Sequence, residues 1–149
     1  MHPEIVTASF QLDGRLLVLY DGYCGLCNRA VRWFLRRDRH DRFRFAPASS
    51  PAVSALLAES EASLAARTIL VLCDSGQPEQ QLFVRSEAIL LMLAELPRPW
   101  PAVVRVLRLI PCPLRDLAYG FIARIRYRLW GRYDACPLPS AAERAHFLD

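Results

Sequence analysis

At 149 residues, 53% of them apolar and 23% charged, the chain has the size and composition of one globular domain rather than of a disordered segment. Its net charge is +4, and all nineteen basic residues are Arg; without Lys, Schiff-base lysine chemistry and a phosphate-loop lysine are excluded. The five Cys are odd in number and too sparse for a disulfide-stapled secreted scaffold.

The first ten residues, Met1 to Phe10, contain neither a basic segment nor a long apolar run, so no cleaved signal peptide is expected. No apolar run reaches the roughly 18 residues that span a bilayer. The expected setting is therefore a reducing cytoplasm, where Cys pairs serve catalysis or metal binding more often than structure.

In chain order, Arg15 to Tyr20 is a continuous apolar run closed by Asp21-Gly22, the pattern of a buried central strand. Cys24 to Arg37 follows with helical spacing: Leu26, Ala30, Val31, Phe34 and Leu35 share one face, and Arg29, Arg32, Arg36 and Arg37 the other. Phe43 to Ala46 alternates and predicts a second strand, stopped by Pro47. Ser50-Pro51 opens a weak helix to about Ala65. Thr68 to Cys73 is a further buried strand, turned by Asp74-Ser75-Gly76 into a hairpin with Gln81 to Arg85. Ser86 is placed to cap a helix over Glu87 to Leu96. Five Pro then punctuate two more helices, about Ala102–Leu109 and Leu114–Trp130. In the tail, Ser140 with Glu143 forms a capping box before a short helix. The order β-α-β-α-β-β-α plus helices predicts an α/β sandwich: a mixed sheet of about four strands over residues 15–97, extended by helices over 98–149 within one domain.

The strongest chemical signal is Cys24-Gly25-Leu26-Cys27, where the central strand passes into a helix. Cys24 at the helix N-terminus meets unpaired N–H groups and the positive end of the macrodipole, which favour a thiolate and lower its pKa. Cys27, one turn in and more shielded, suits the resolving role. Arg29 and Arg32 are candidates for added positive potential. Asp21 has two readings: proton acceptor for the resolving thiol, or simply a turn former. Gly22 and Gly25 would let a partner chain approach the sulfur closely. Half of a zinc site and two inert core thiols stay open as alternatives, with Cys73, Cys112, Cys136, His40 and His146 the remaining ligand types. No cofactor is indicated.

Leu19 to Asn28, with its Asp-x-x-Cys-x-x-Cys core, resembles the DCC family of thiol–disulfide oxidoreductases. Phe43–Ser49, Ser86–Ala88, Pro113–Tyr119, Arg124–Tyr127 and Cys136–Pro139 resemble other family patterns, so the similarity runs from about Leu16 to Phe147. The resemblance implies a thioredoxin-like fold, with Cys24 as nucleophile, Cys27 as resolving thiol and Asp21 as a motif member. Its implied partner is a disulfide-containing protein or a small thiol. One departure stands out: the segment Leu64 to Ile69, before the third strand, lacks the proline that faces the dithiol in most thioredoxin-like proteins.

Cys136, in a turn-rich loop, reads as structural or as a third redox thiol; Cys73 reads as a core residue and Cys112 as a helix break. Trp33, Trp100 and Trp130 read as packing residues, and the three His as surface groups. From Arg98 to Arg132 there are eight Arg and one acid, Asp116, so this segment carries +7 and the rest of the chain −3. Such basic amphipathic helices present a solvated face, or meet an anionic membrane surface or an acidic partner; no nucleic-acid motif is present. A binding module resting on these helices, with the thiols as metal ligands or inert, is the alternative to redox catalysis.

Overall fold

The computed structural model describes residues 14–51, 53, 63–64, 67–73, 81–134, 137 and 139–147. Most of the helix expected over 51–65, the hairpin turn at 74–76 and Cys136 lie outside the described residues.

Four strands form one mixed sheet in the order β2-β1-β3-β4. The central strand β1, Leu16–Tyr20, is buried along its whole length because it has neighbours on both edges. It pairs in parallel with β2, Phe43–Pro47, from Leu16 opposite Phe43 to Tyr20 opposite Pro47. On its other edge it pairs antiparallel with β3, Leu70–Cys73, and β3 pairs antiparallel with β4, Gln81–Val84. The parallel pair requires a crossover, supplied by helix α1, Gly25–Arg37. The result is a βαβ unit followed by a ββα unit, a thioredoxin-like arrangement in the α/β class.

The alternation of side chains along β1 divides the interior. Leu16, Val18 and Tyr20 join Val31 and Phe34 of α1 and Phe43 and Phe45 of β2. Leu17 and Leu19 point the other way, with Ala46, Val53, Leu70 and Leu72. Trp33 and Trp100 meet edge to face at 4.8 Å, as packing residues do. Asp38 ends α1 and accepts the N–H groups of Arg42 and Phe43 at 2.8 and 3.1 Å, which aligns β2 beside β1.

Three more helices follow: α2, Arg85–Ala94; α3, Trp100–Leu107; and α4, Cys112–Trp130. Ser86 is not the cap expected of it. It lies inside the first turn of α2, buried, and donates its hydroxyl to Asp116 of α4. Cys112 stands at the break between α3 and α4, as the first residue of α4, with Pro113 in the first turn where its missing N–H costs nothing. Glu143 accepts the Ser140 N–H as a capping box requires, but only a 3-10 turn, Arg144–His146, follows.

The docking of α4 is unusual in using polar side chains. Tyr119 Oη accepts from the Thr68 hydroxyl and the Ile69 N–H, both at 3.0 Å. Arg115 pairs with Glu87 at 2.7 Å. No helix among the described residues is long and apolar enough to cross a membrane.

Candidate active site

Cys24 is the N-cap of α1. The central strand must turn sharply there, and three bonds hold the turn. The Cys24 N–H reaches the Asp21 carbonyl at 3.2 Å, and buried Asn28 donates to the carbonyls of Gly22 and Cys24 at 2.8 and 2.9 Å. The Cys24 Sγ then accepts the N–H of Cys27 at 3.3 Å, taking the place that a Ser or Asp oxygen fills at other helix starts.

These contacts set the two sulfurs apart chemically. A hydrogen bond from the Cys27 thiol, opposed by burial and aided by the Cys27 N–H and the Arg126 charge, lowers the Cys24 thiol from 9.0 to about 6. Cys27 moves the opposite way: its hydrogen bond to Cys24 and its burial keep it protonated far above the usual thiol range. At neutral pH the pair is therefore one thiolate and one thiol, the two forms that a nucleophile and a resolving group need.

The positive charge beside the sulfurs does not come from Arg29 or Arg32, which are both exposed on the outer face of α1. It comes from Arg126 of α4, ninety-nine residues beyond Cys27, whose Nη1 lies 3.5 Å from the Cys27 Sγ. Arg126 is 7% exposed, and its Nη2 lies 3.3 Å from Asp21 Oδ2. Burial opposes the arginine charge, yet the acidic groups around it, Cys27, Tyr127, Cys24 and Asp21, raise its pKa through their ionised forms.

Asp21 is buried and fully engaged. Its Oδ1 accepts the Tyr23 N–H at 3.0 Å, the contact of a turn former. Its Oδ2 takes the Tyr127 hydroxyl as well as Arg126. Burial and this bond push the Tyr127 phenol up to about 12, so it stays a donor. The carboxylate thus both shapes the turn and ties α4 to the dithiol.

Cys24 has no exposed surface. A segment following α4 lies across it: Gly25 N–H donates to the Gly131 carbonyl at 3.1 Å, Tyr133 N–H to the Tyr23 carbonyl at 2.8 Å, and Cys24 and Arg132 form an antiparallel bridge. A side chain on Gly25 would meet the Trp130 carbonyl oxygen at 2.1 Å, so Gly25 is what admits this strand. The sequence suggested an approaching partner chain; in the structure it is the chain's own. Arg132 sits over the rings of Tyr23 and Tyr127 at 5.9 and 5.4 Å.

The structure thus gathers Asp21, Cys24 and Cys27 and adds Arg126, Tyr127 and the 130–133 segment, none of which was singled out as a site residue. Their one sequence signal is Arg124–Tyr127, quoted above among the family-like patterns. The single cluster of three potential metal ligands among the described residues is Asp38, Asp41 and His146, away from the thiols. Its carboxylates already serve backbone N–H groups and the guanidinium groups of Arg15 and Arg44. His146 is half-buried there, 3.4 Å from Asp41, and not a free surface group.

The model of the DCC1-like thiol–disulfide oxidoreductases matches residues 18–132. The uncharacterised protein YuxK of Bacillus subtilis (strain 168) is 33% identical over 140 residues, which is 94% of this chain and 98% of YuxK. A chloroplastic DCC family protein of Arabidopsis thaliana is 32% identical over 129 residues, 87% of this chain and 73% of that protein. No solved structure matches the chain. With a family match over most of its length and a relative aligned nearly end to end, the chain belongs to the DCC1-like thiol–disulfide oxidoreductase family.

Proposed function

We propose that this protein exchanges disulfides through Cys24 and Cys27, with Cys24 as nucleophile and Cys27 as resolving thiol. The observation that carries this reading is the opposed state of the two sulfurs: a thiolate at a helix N-cap and a protonated neighbour one turn on. The Cys24 thiolate attacks one sulfur of a substrate disulfide. A Cys24–substrate bond forms, and the other substrate sulfur leaves as a thiolate that takes a proton from water. Cys27 then attacks Cys24, its proton passing, directly or through water, to the departing second substrate thiolate. The Cys24–Cys27 disulfide forms and the second substrate sulfur leaves as a thiol. Two electrons pass to the substrate, and the same steps run backwards oxidise a substrate dithiol.

Arg126 and Asp21 act as positioning residues in this scheme. Arg126 stabilises negative charge as it moves between the sulfurs, and Asp21 fixes the guanidinium rather than taking a proton. Both Asp21 oxygens are already occupied, and Arg126 is the residue that reaches Cys27.

The test uses an aromatic disulfide that releases a coloured thiolate. Reduced wild-type protein is expected to finish with a Cys24–Cys27 disulfide and no adduct on either sulfur. Cys27→Ser is expected to stop with the aromatic thiol on Cys24, located by peptide mass spectrometry, and Cys24→Ser to leave Cys27 almost unreactive. Adducts on Cys27 in preference to Cys24, or no internal disulfide in the wild type, would overturn the assignment.

A further inference from the structure

Helix α4 is built inside out. Its polar residues Arg115, Asp116, Tyr119 and Arg126 face the protein and hold it there. Its apolar residues Leu114, Leu117, Phe121 and Leu129 face outward, Leu117 70% exposed and Phe121 64%. The end of α3 and the following turn extend the same character with Val106 and Leu109, the latter 83% exposed. Spacings of three and four residues from Leu114 to Phe121 make this one stripe along the helix. Exposed apolar area on this scale marks a contact surface.

Arginine lies in and along the stripe. Arg105, Arg108, Arg124 and Arg128 are exposed, and none has an ion-pair partner among the described residues. The sole acid between Arg98 and Arg132 is Asp116, turned inward to Ser86. The segment carries +7 and the remainder of the chain −3; Arg115 and Arg126 turn inward to Glu87 and Asp21, while Arg105, Arg108, Arg124 and Arg128 stay exposed with the apolar residues.

We propose that this face seats on an anionic lipid bilayer, with α3 and α4 lying in the headgroup region. A bilayer meets both features together: acyl chains take the Leu and Phe side chains, and anionic headgroups take the Arg. A second copy of the chain fits worse. A twofold contact through this face would bring the same arginines against one another with no acid to neutralise them. The proposal is independent of the dithiol's reactivity, because Arg126 and Tyr127 leave α4 on the opposite side.

The experiment sediments the full-length protein with vesicles of phosphatidylcholine containing about 30% phosphatidylglycerol, and with phosphatidylcholine alone, in about 0.1 M salt. The expected result is binding to the anionic vesicles and at least tenfold weaker binding to the neutral ones. Leu117→Asp with Phe121→Asp is expected to abolish binding. Arg124→Gln with Arg128→Gln is expected to weaken it about 25-fold, at about fivefold for each arginine. Both variants should keep the wild-type circular dichroism and Cys24 reactivity. Equal affinity for the two vesicle types, or no binding to either, would overturn the proposal. So would a dimer in sedimentation equilibrium that Leu117→Asp with Phe121→Asp dissociates.

Discussion

Cys24 and Cys27 are three residues apart on one helix turn and differ in charge because of what each can donate. Cys24 Sγ accepts the Cys27 amide N–H, and the Cys27 thiol proton beside it favours its thiolate form further. The Arg126 charge adds to these but ranks below both. The ranking predicts that Cys27→Ala raises the Cys24 pKa more than Arg126→Gln does, measured by the pH dependence of alkylation. The reverse order would place the main cause in the arginine. Arg126→Gln also leaves Asp21 buried without its cation, a change that costs about 3–5 kcal/mol for ion pairs of this burial. Arg126→Lys keeps the charge and should give back part of both losses. Linkage fixes the sign of the pH effect on folding. The folded Cys24 pKa lies below its unfolded value, so the reduced protein draws full stability from this group above pH 9.0 and loses it as the pH falls through about 6.

At the scale of elements, the strand covering Cys24 matters most. It is held by two backbone hydrogen bonds at Tyr23 and Gly25 and admitted by the missing Cβ of Gly25. Cys24 is wholly buried and this segment is bonded to the backbone on either side of it, so the proposed exchange at its sulfur would need the segment to open. Gly25→Ala pushes a methyl group into the Trp130 carbonyl and so weakens the closed arrangement. We expect iodoacetamide to alkylate Cys24 about fivefold faster or more at neutral pH, the effect of roughly 1 kcal/mol on a local closing equilibrium. An unchanged rate would mean that the strand does not control access. The bound strand also occupies the backbone beside the dithiol in a protein that lacks a proline at the approach to β3.

Across the whole molecule, what was legible in the sequence depended on the range of the interaction. The run Leu16–Tyr20, the periodic stripe of α1 and the hairpin strands are set by neighbours a few residues away, and the four-stranded mixed sheet followed from their order. The dithiol was legible for the same reason, being one turn of one helix. Ser86 has the residue type of a cap but serves Asp116 instead, an acceptor thirty residues on that local sequence does not reveal. Arg126 was hidden by the ninety-nine residues between it and Cys27. Periodicity located α4 but did not show which face turns inward, because that choice is made by Thr68, Ser86, Glu87 and Asp21 on other elements. These same contacts make one helix both the source of the charge at the dithiol and the bearer of the exposed apolar stripe.

The fold holds Cys24 as a thiolate at neutral pH while Cys27 stays protonated. Ultraviolet titration of the reduced protein near the thiolate band, with Cys24→Ser as the reference, measures this directly. A single thiolate is expected to appear with a midpoint near pH 6 and to be absent from Cys24→Ser. A midpoint near the free-thiol value of about 8.5, or an acidic transition that persists in Cys24→Ser, would contradict it.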